Sequence, residues 1–299
     1  MANVLILLTL PEPIRNQYRD RLRNRFPGIT IELVDHHSKV GPYIGKADAL
    51  ITFAPMLSSE VLAAATRLKW VQALGTGVDN LIDQPALRQD VIVTNMRAIH
   101  GAPVSEAALA GMLALARGLR RAILAQDERQ WRRFPAQLLH DKTVGIFGVG
   151  QIAEILAPKC KAFGMRVVGA RKLAGFDRMH RREELARVIG DFDFLILLTP
   201  LTTATRNSID AKIFAAMKPT SYLINLARGG VVDEAALIEA LAKGALLGRR
   251  LTYSTRSRCR PIIHSGRCLM SLSPHIRAGS AMSTSITPCP RSRQTWSAF

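Results

Sequence analysis

Acidic residues are missing from the end of this sequence. Residues 240–299 hold nine Arg, one Lys and no Asp or Glu, a net of +10, whereas residues 1–239 hold the other 31 of 41 basic groups and all 23 acidic ones, a net of +8. The formal charge of +18 therefore describes two differently composed segments that meet near residue 245. Cysteine is scarce as well: there are four, none at a paired spacing, which argues against a zinc site and against a disulfide framework. No apolar run reaches the roughly 18–20 residues of a membrane span. The longest, residues 107–116, is ten residues long and lies between Glu106 and Arg117. The N-terminal MANVLILLTLPEP has neither a basic leading region nor a small-residue cleavage site, so it reads as a buried strand and not a signal peptide. The expectation is a cytoplasmic chain with no membrane partner and no metal. At 48% apolar and 21% charged, 299 residues suit one large or two ordinary globular domains and not a disordered or collagen-like chain.

The basic tail by itself suggests nucleic acid or an anionic surface. It lacks interleaved aromatics and any recognisable binding module, so no nucleic-acid partner is expected. Upstream the patterning is regular. Short apolar runs at residues 4–10, 29–34, 49–53, 70–73 and 91–94 are bounded by Gly, Pro, Asp or Asn and separated by helical or polar stretches. A long helix is predicted from Pro103 to about Gly118. A second series follows, with strands at 143–147, 165–170, 192–198 and 222–226 and helices at 152–163, 183–189, 209–217 and 234–243. Strands alternating with helices predict α/β architecture with a doubly wound parallel sheet.

Three strings carry chemistry. Gly148-Val-Gly150-Gln151-Ile152-Ala153 follows a strand and opens a helix, the context in which a glycine pattern predicts dinucleotide binding. Gly148 permits the tight turn, Gly150 lets the backbone approach a pyrophosphate, and Ala153 keeps the helix close to the sheet. The helix N-terminus offers amides and the positive end of its dipole. The next strand ends in Arg171-Lys172 where an NAD-preferring fold carries an acid about 20 residues on. Two cations suit the 2′-phosphate of NADP, with NAD as the alternative cofactor. Leu197-Leu198-Thr199-Pro200 closes a strand at the carboxyl edge, where ligands of open α/β sheets bind. Asn225-Leu-Ala227-Arg228-Gly229-Gly230-Val-Val-Asp233-Glu234 places an Arg just past a strand end, able to clamp a carboxylate bidentately and polarise a neighbouring carbonyl.

With Ala73-Leu-Gly75-Thr76-Gly77-Val78-Asp79 added, these strings resemble the NAD(P)-dependent D-2-hydroxyacid dehydrogenases, including the glyoxylate/hydroxypyruvate reductase branch, over roughly residues 1–248. The resemblance implies two doubly wound lobes. Residues 100–270 would form a Rossmann-type cofactor domain, and residues 1–99, normally completed by the C-terminal segment, a flavodoxin-like substrate lobe. It further implies that Gly148, Gly150, Gln151, Ile152, Thr199, Pro200 and Ala227 contact the cofactor and that the backbone at Gly75, Thr76, Gly77 and Val78 binds the substrate carboxylate. Arg228 would be the catalytic arginine, the substrate a small 2-keto or 2-hydroxy acid, and the assembly a homodimer.

The resemblance stops short of the proton donor. The family carries a Glu in a pattern like D-V-F-x-x-E-P-L-P, followed by a His in (S/T)-P-H. The Glu holds the imidazole in its protonated form and the His gives its proton to the carbonyl oxygen. Here residues 251–260 read LTYSTRSRCR, with no carboxylate. Written as CTG ACG TAT TCG ACA CGG AGC CGC TGC CGG, these codons give Asp-Val-Phe-Asp-Thr-Glu-Pro-Leu-Pro when each codon after the first is read one base earlier. The codons are synonymous choices compatible with the peptide. The pattern predicts a one-base displacement of the frame near residues 247–250, in the gene or in its sequencing, so that residues 249–299 form an aberrant basic tail. Ser273-Pro274-His275 matches the catalytic-His string, and two readings of it stay open: a briefly restored frame, with His275 the acid/base, or chance. As written, the chain is expected to be impaired in turnover. The alternative is a non-catalytic dinucleotide-binding protein with an altered tail. Of the other histidines, only His100 falls near the crossing between the lobes.

Overall fold

The computed structural model describes residues 1–53, 57–79, 81–169, 177–179, 184–243, 248–251, 268–270 and 286–288. The chain divides into two compact units, Met1–Ile99 with Ala278–Phe299, and His100–Arg277.

In the first unit, β1 (Ala2–Leu7), α1 (Glu12–Arg25), β2 (Ile29–Val34), α2 (Gly41–Ile44), β3 (Ala49–Thr52), α3 (Ser59–Ala63), β4 (Trp70–Ala73) and β5 (Ile92–Met96) follow in order. The five strands pair in parallel as β2-β1-β3-β4-β5, and the segment Ile286–Pro288 adds an antiparallel edge beside β5. This is the flavodoxin-like order, with its reversal between β1 and β3. Alternation along β1 explains the two-sided core. Leu5 and Leu7 join Val40, Ile44, Leu50 and Val71 on one face, while Val4 and Ile6 join Ile31, Ala49 and Ile51 on the other. A strand buried on both faces must be apolar throughout, and that is why these runs stand out in the sequence.

The second unit opens with α4 (Gly101–Ala116) and α5 (Leu119–Asp127). The single long helix expected to Gly118 ends at Ala116, because Gly118 sits in the left-handed region at φ 61° and turns the chain into α5, a helix not foreseen. Next come β6 (Thr143–Phe147), α6 (Gln151–Ala162), β7 (Arg166–Gly169), β8 (Arg178–Met179), α7 (Leu185–Val188), β9 (Phe194–Leu197), α8 (Ala211–Ala216), β10 (Tyr222–Asn225), α9 (Glu234–Ala242), β11 (Gly248–Leu251) and β12 (Cys268–Met270). All seven strands are parallel, in the order β12-β11-β10-β9-β6-β7-β8. Counted from β6, six of them follow the Rossmann order 3-2-1-4-5-6, with β12 added at the edge, and the reversal falls between β6 and β9.

Again the strand faces alternate. Val144, Ile146, Phe194 and Ile196 pack against Ala108 and Met112 of α4 and Leu156 and Cys160 of α6, while Phe147, Leu195 and Leu197 pack against Ile213 and Phe214 of α8 and Leu237 of α9. Asp210 and Asp233 cap α8 and α9 through the amides of Ile213 and Ala236, at 3.0 and 3.1 Å. No helix among the described residues is long and apolar enough to cross a membrane.

Candidate active site

The glycine turn after β6 is built around one close approach. Gly148 has φ 103°, and a Cβ there would fall on the Thr199 amide and lie 2.6 Å from the Leu198 carbonyl carbon. Only glycine fits, so the turn closes directly onto the end of β9 at the point where strand order reverses. Gly150 differs. Its φ is an ordinary −146°, and no described atom lies within 4 Å of where its Cβ would be. The missing side chain leaves open space at the start of α6, where a helix's first amides have no intrahelical acceptor. Ala153 is fully buried among the residues that hold α6 to the sheet. Gln151 is exposed and Ile152 half-buried beside them. A glycine cradle that is tight at its base and open at its rim fits a dinucleotide pyrophosphate.

Thr199 is buried, and Pro200 begins a loop closed by Thr205, whose hydroxyl donates to the Pro200 carbonyl at 2.7 Å. One strand further on, β10 ends in Asn225, and Ala227 and Arg228 follow. The Arg228 guanidinium donates from Nη1 to the Ala227 carbonyl at 3.0 Å, and its backbone is extended before the single 3-10 turn Gly229–Val231. Arg228 is half-buried.

In the first unit, the loop after β4 carries Gly75, Thr76, Gly77 and Val78. It is pinned to β5 twice: Asn95 Nδ2 donates to the Thr76 carbonyl at 2.6 Å, and the Met96 amide donates to the Gly75 carbonyl at 3.2 Å. Val78 packs its side chain against the core of that unit. Neither Asn95 nor the Thr205 clasp stands out in the sequence, since a lone Asn or Thr near a strand end has many ordinary uses. Arg171, Lys172 and His275 lie outside the described residues, as do all the residues in 252–260 of the displaced-frame string.

His100 precedes α4, and its Nε2 is buried with no hydrogen-bond partner among the described residues. Burial pushes its pKa below the usual imidazole value. The folded state thus takes up this proton less readily than the unfolded chain. The group's contribution to stability is in place above about pH 6.5 and is lost as pH falls through the lowered folded value. Denaturant unfolding is expected to show stability falling as pH drops below about 6.5, the ordinary imidazole value, with His100→Gln flattening part of the drop. An unchanged pH dependence in that variant would remove His100 as its source.

A doubly wound sheet with its glycine turn seated at the reversal of strand order defines a dinucleotide-binding α/β protein. The D-isomer specific 2-hydroxyacid dehydrogenase NAD binding domain family matches residues 109–252. D-3-phosphoglycerate dehydrogenase of Mycobacterium tuberculosis is 33% identical over 252 residues, covering 80% of this chain and 46% of that protein. Glyoxylate reductase of Thermococcus gammatolerans is 34% identical over 218 residues, covering 68% of this chain and 65% of the reductase. The crystal structure of a D-isomer specific 2-hydroxyacid dehydrogenase family protein from Aeromonas salmonicida superposes with a TM-score of 0.79 at 28% identity, covering 91% of this chain and 89% of that one. The chain spans less than half the length of the phosphoglycerate dehydrogenases it matches. It belongs to the D-isomer specific 2-hydroxyacid dehydrogenase family.

Proposed function

We propose that this chain is an NAD(P)-dependent oxidoreductase of small 2-keto acids, of the glyoxylate or hydroxypyruvate kind, forming the D-2-hydroxy acid with NADP preferred over NAD. The observation that carries this reading is the placement of Arg228. It stands at the carboxyl end of β10, the neighbour of the strand whose end closes on the Gly148 turn. A cation suited to a carboxylate thus sits on the same sheet edge as the dinucleotide cradle.

When bound and reduced, the nicotinamide supplies a hydride to the keto carbon. Gly148, Gly150, Gln151 and Ile152 would hold the pyrophosphate, and Thr199, Pro200 and Ala227 would contact the cofactor. Arg228 would bind the keto acid and draw electron density toward its carbonyl oxygen. A proton delivered to that oxygen by His275 balances the hydride, giving a hydroxyl. The family's Glu has no counterpart in residues 251–260, and turnover by the chain as written is therefore low. The same missing carboxylate favours the second reading, dinucleotide binding without turnover. Exposed Leu119, Ile123, Leu124, Trp131 and Leu138, which cluster in sequence, support a homodimer.

Oxidation of NADPH and NADH with glyoxylate and with hydroxypyruvate tests the activity. Fluorescence titration of the cofactor tests its choice. Arg171→Ser with Lys172→Ser is expected to weaken NADPH about tenfold to a hundredfold, as charge-assisted hydrogen bonds to the 2′-phosphate are lost, and to leave NADH nearly unchanged. Equal losses for both cofactors would remove the assignment of these two residues to the 2′-phosphate.

A further inference from the structure

We infer that Asn225 is the positioning residue for Arg228: one buried carboxamide holds the turn that presents the guanidinium, and through it sets affinity for the keto acid. This rests on the reading of Arg228 as the group that binds the substrate. Asn225 closes β10 in the interior of the sheet, in register with Leu197 of β9 and Leu251 of β11, and is 0% exposed. A polar side chain without water must find its partners in the protein. Its Oδ1 accepts the Ala227 amide at 3.0 Å, and its Nδ2 donates to the Arg228 carbonyl at 3.0 Å. The two partners are of opposite kind, and this fixes the orientation of the amide.

The bonds bracket the arginine. The Arg228 carbonyl also receives the Val231 amide at 3.2 Å, and Val231 is fully buried, which anchors the far side of the turn. On the near side, the Ala227 carbonyl receives Arg228 Nη1. Neither Gly229 nor Gly230 has a positive φ, so the turn is held by these hydrogen bonds and not by a conformation reserved for glycine. Few side chains can replace the carboxamide. An ionised Asp keeps the bond from the Ala227 amide but sets a carboxylate oxygen against the Arg228 carbonyl. A Ser is too short to span both partners. Leu leaves the buried Ala227 amide without the Asn225 acceptor and the Arg228 carbonyl with the Val231 amide as its remaining described donor. Bidentate pairing with a carboxylate is strict about guanidinium placement, so freeing the Arg228 carbonyl weakens substrate binding even though Asn225 does not touch the substrate.

The test uses the full chain saturated with NADPH and oxalate as a non-reacting keto-acid analogue, titrated by calorimetry, with NADPH affinity and melting temperature measured alongside. Asn225→Asp is expected to weaken oxalate roughly tenfold, the worth of one lost hydrogen bond together with a displaced charge pair. It should spare NADPH, because the Ala227 amide keeps its acceptor. Arg228→Ala is expected to lose most of the oxalate affinity, and the double variant to bind no more weakly than Arg228→Ala alone. Asn225→Ser, neutral and without a donor that reaches Arg228, is read in the same way should the buried Asp lower the melting temperature. Additive losses in the double variant, or equal losses of NADPH and oxalate in Asn225→Asp, would make Asn225 a general structural residue and overturn the inference. Weakened oxalate in Arg228→Ala with none in either Asn225 variant overturns it while leaving the Arg228 reading intact. An Arg228→Ala chain that binds oxalate as the unchanged chain does, or an unchanged chain that binds NADPH but no oxalate, overturns both.

Discussion

Expressing the gene with the frame displaced by one base near codons 247–250 and restored before codon 273, so that His275 is kept, is expected to raise kcat/KM for the keto acid by roughly a hundredfold to ten-thousandfold, the usual contribution of a positioned acid–base group. The physical argument concerns the imidazole. A neutral ring has no proton to give, and a mobile ring presents its N–H to the oxygen for only a fraction of encounters. A carboxylate beside it corrects both faults, raising the ring's pKa and fixing its orientation. In the displaced frame that carboxylate falls where Ser257 now stands, between Arg256 and Arg258. Sequencing the coding DNA across codons 240–299 and then following NADPH oxidation by both chains checks the prediction. Turnover by the present chain at an ordinary enzyme's rate, about 1–10³ per second, would show that no Glu is needed. A displaced frame that meets a stop codon, or that lacks Asp-Val-Phe-x-x-Glu-Pro, would remove the frame argument.

The second large effect is expected at Gly148. Gly148→Ala introduces a Cβ at φ 103°, where it meets the backbone of Leu198 and Thr199 and not a flexible side chain that could swing aside. The positive φ costs about 1–2 kcal/mol and overpacking about 1–3 kcal/mol more. Relief requires the glycine turn and the end of β9 to separate. Loss of NADPH binding should therefore accompany a drop in melting temperature. Gly150→Ala is the contrast. Its backbone is ordinary and the space beside it is open, so the variant should melt like the parent and still lose affinity, because its methyl takes the approach a phosphate needs. Calorimetric melting with NADPH titration separates the two. Identical behaviour of both variants would mean that the glycines do not divide the roles of turn and rim.

How much of this was legible beforehand depends on the range of each interaction. The strands of the sheet interiors were readable because burial on both faces leaves a continuous apolar run, as in residues 194–197 and 222–224. Gly148, Gly150 and Ala153 were readable because their roles follow from local chain geometry at a strand-to-helix turn. The change of composition near residue 245 was readable because composition needs no coordinates. α5 was missed, since a left-handed Gly118 stops one helix and starts the next within a pattern that looks continuous. β8 was missed because two residues carry no period.

The sequence by itself determined the class of fold, the dinucleotide cradle and the strings that carry the family likeness, all set by residues near one another along the chain. Only the tertiary structure decided the two strand orders, the closure of Gly148 onto Thr199, the tie from Asn95 to the loop after β4, and the grip of Asn225 on Arg228. A run of apolar residues says that a strand is buried, but not beside which strand. A buried amide says that it must be bonded, but not to what. Those answers come from packing parallel strands and their crossovers into one sheet, which brings residues distant in the chain to the same edge.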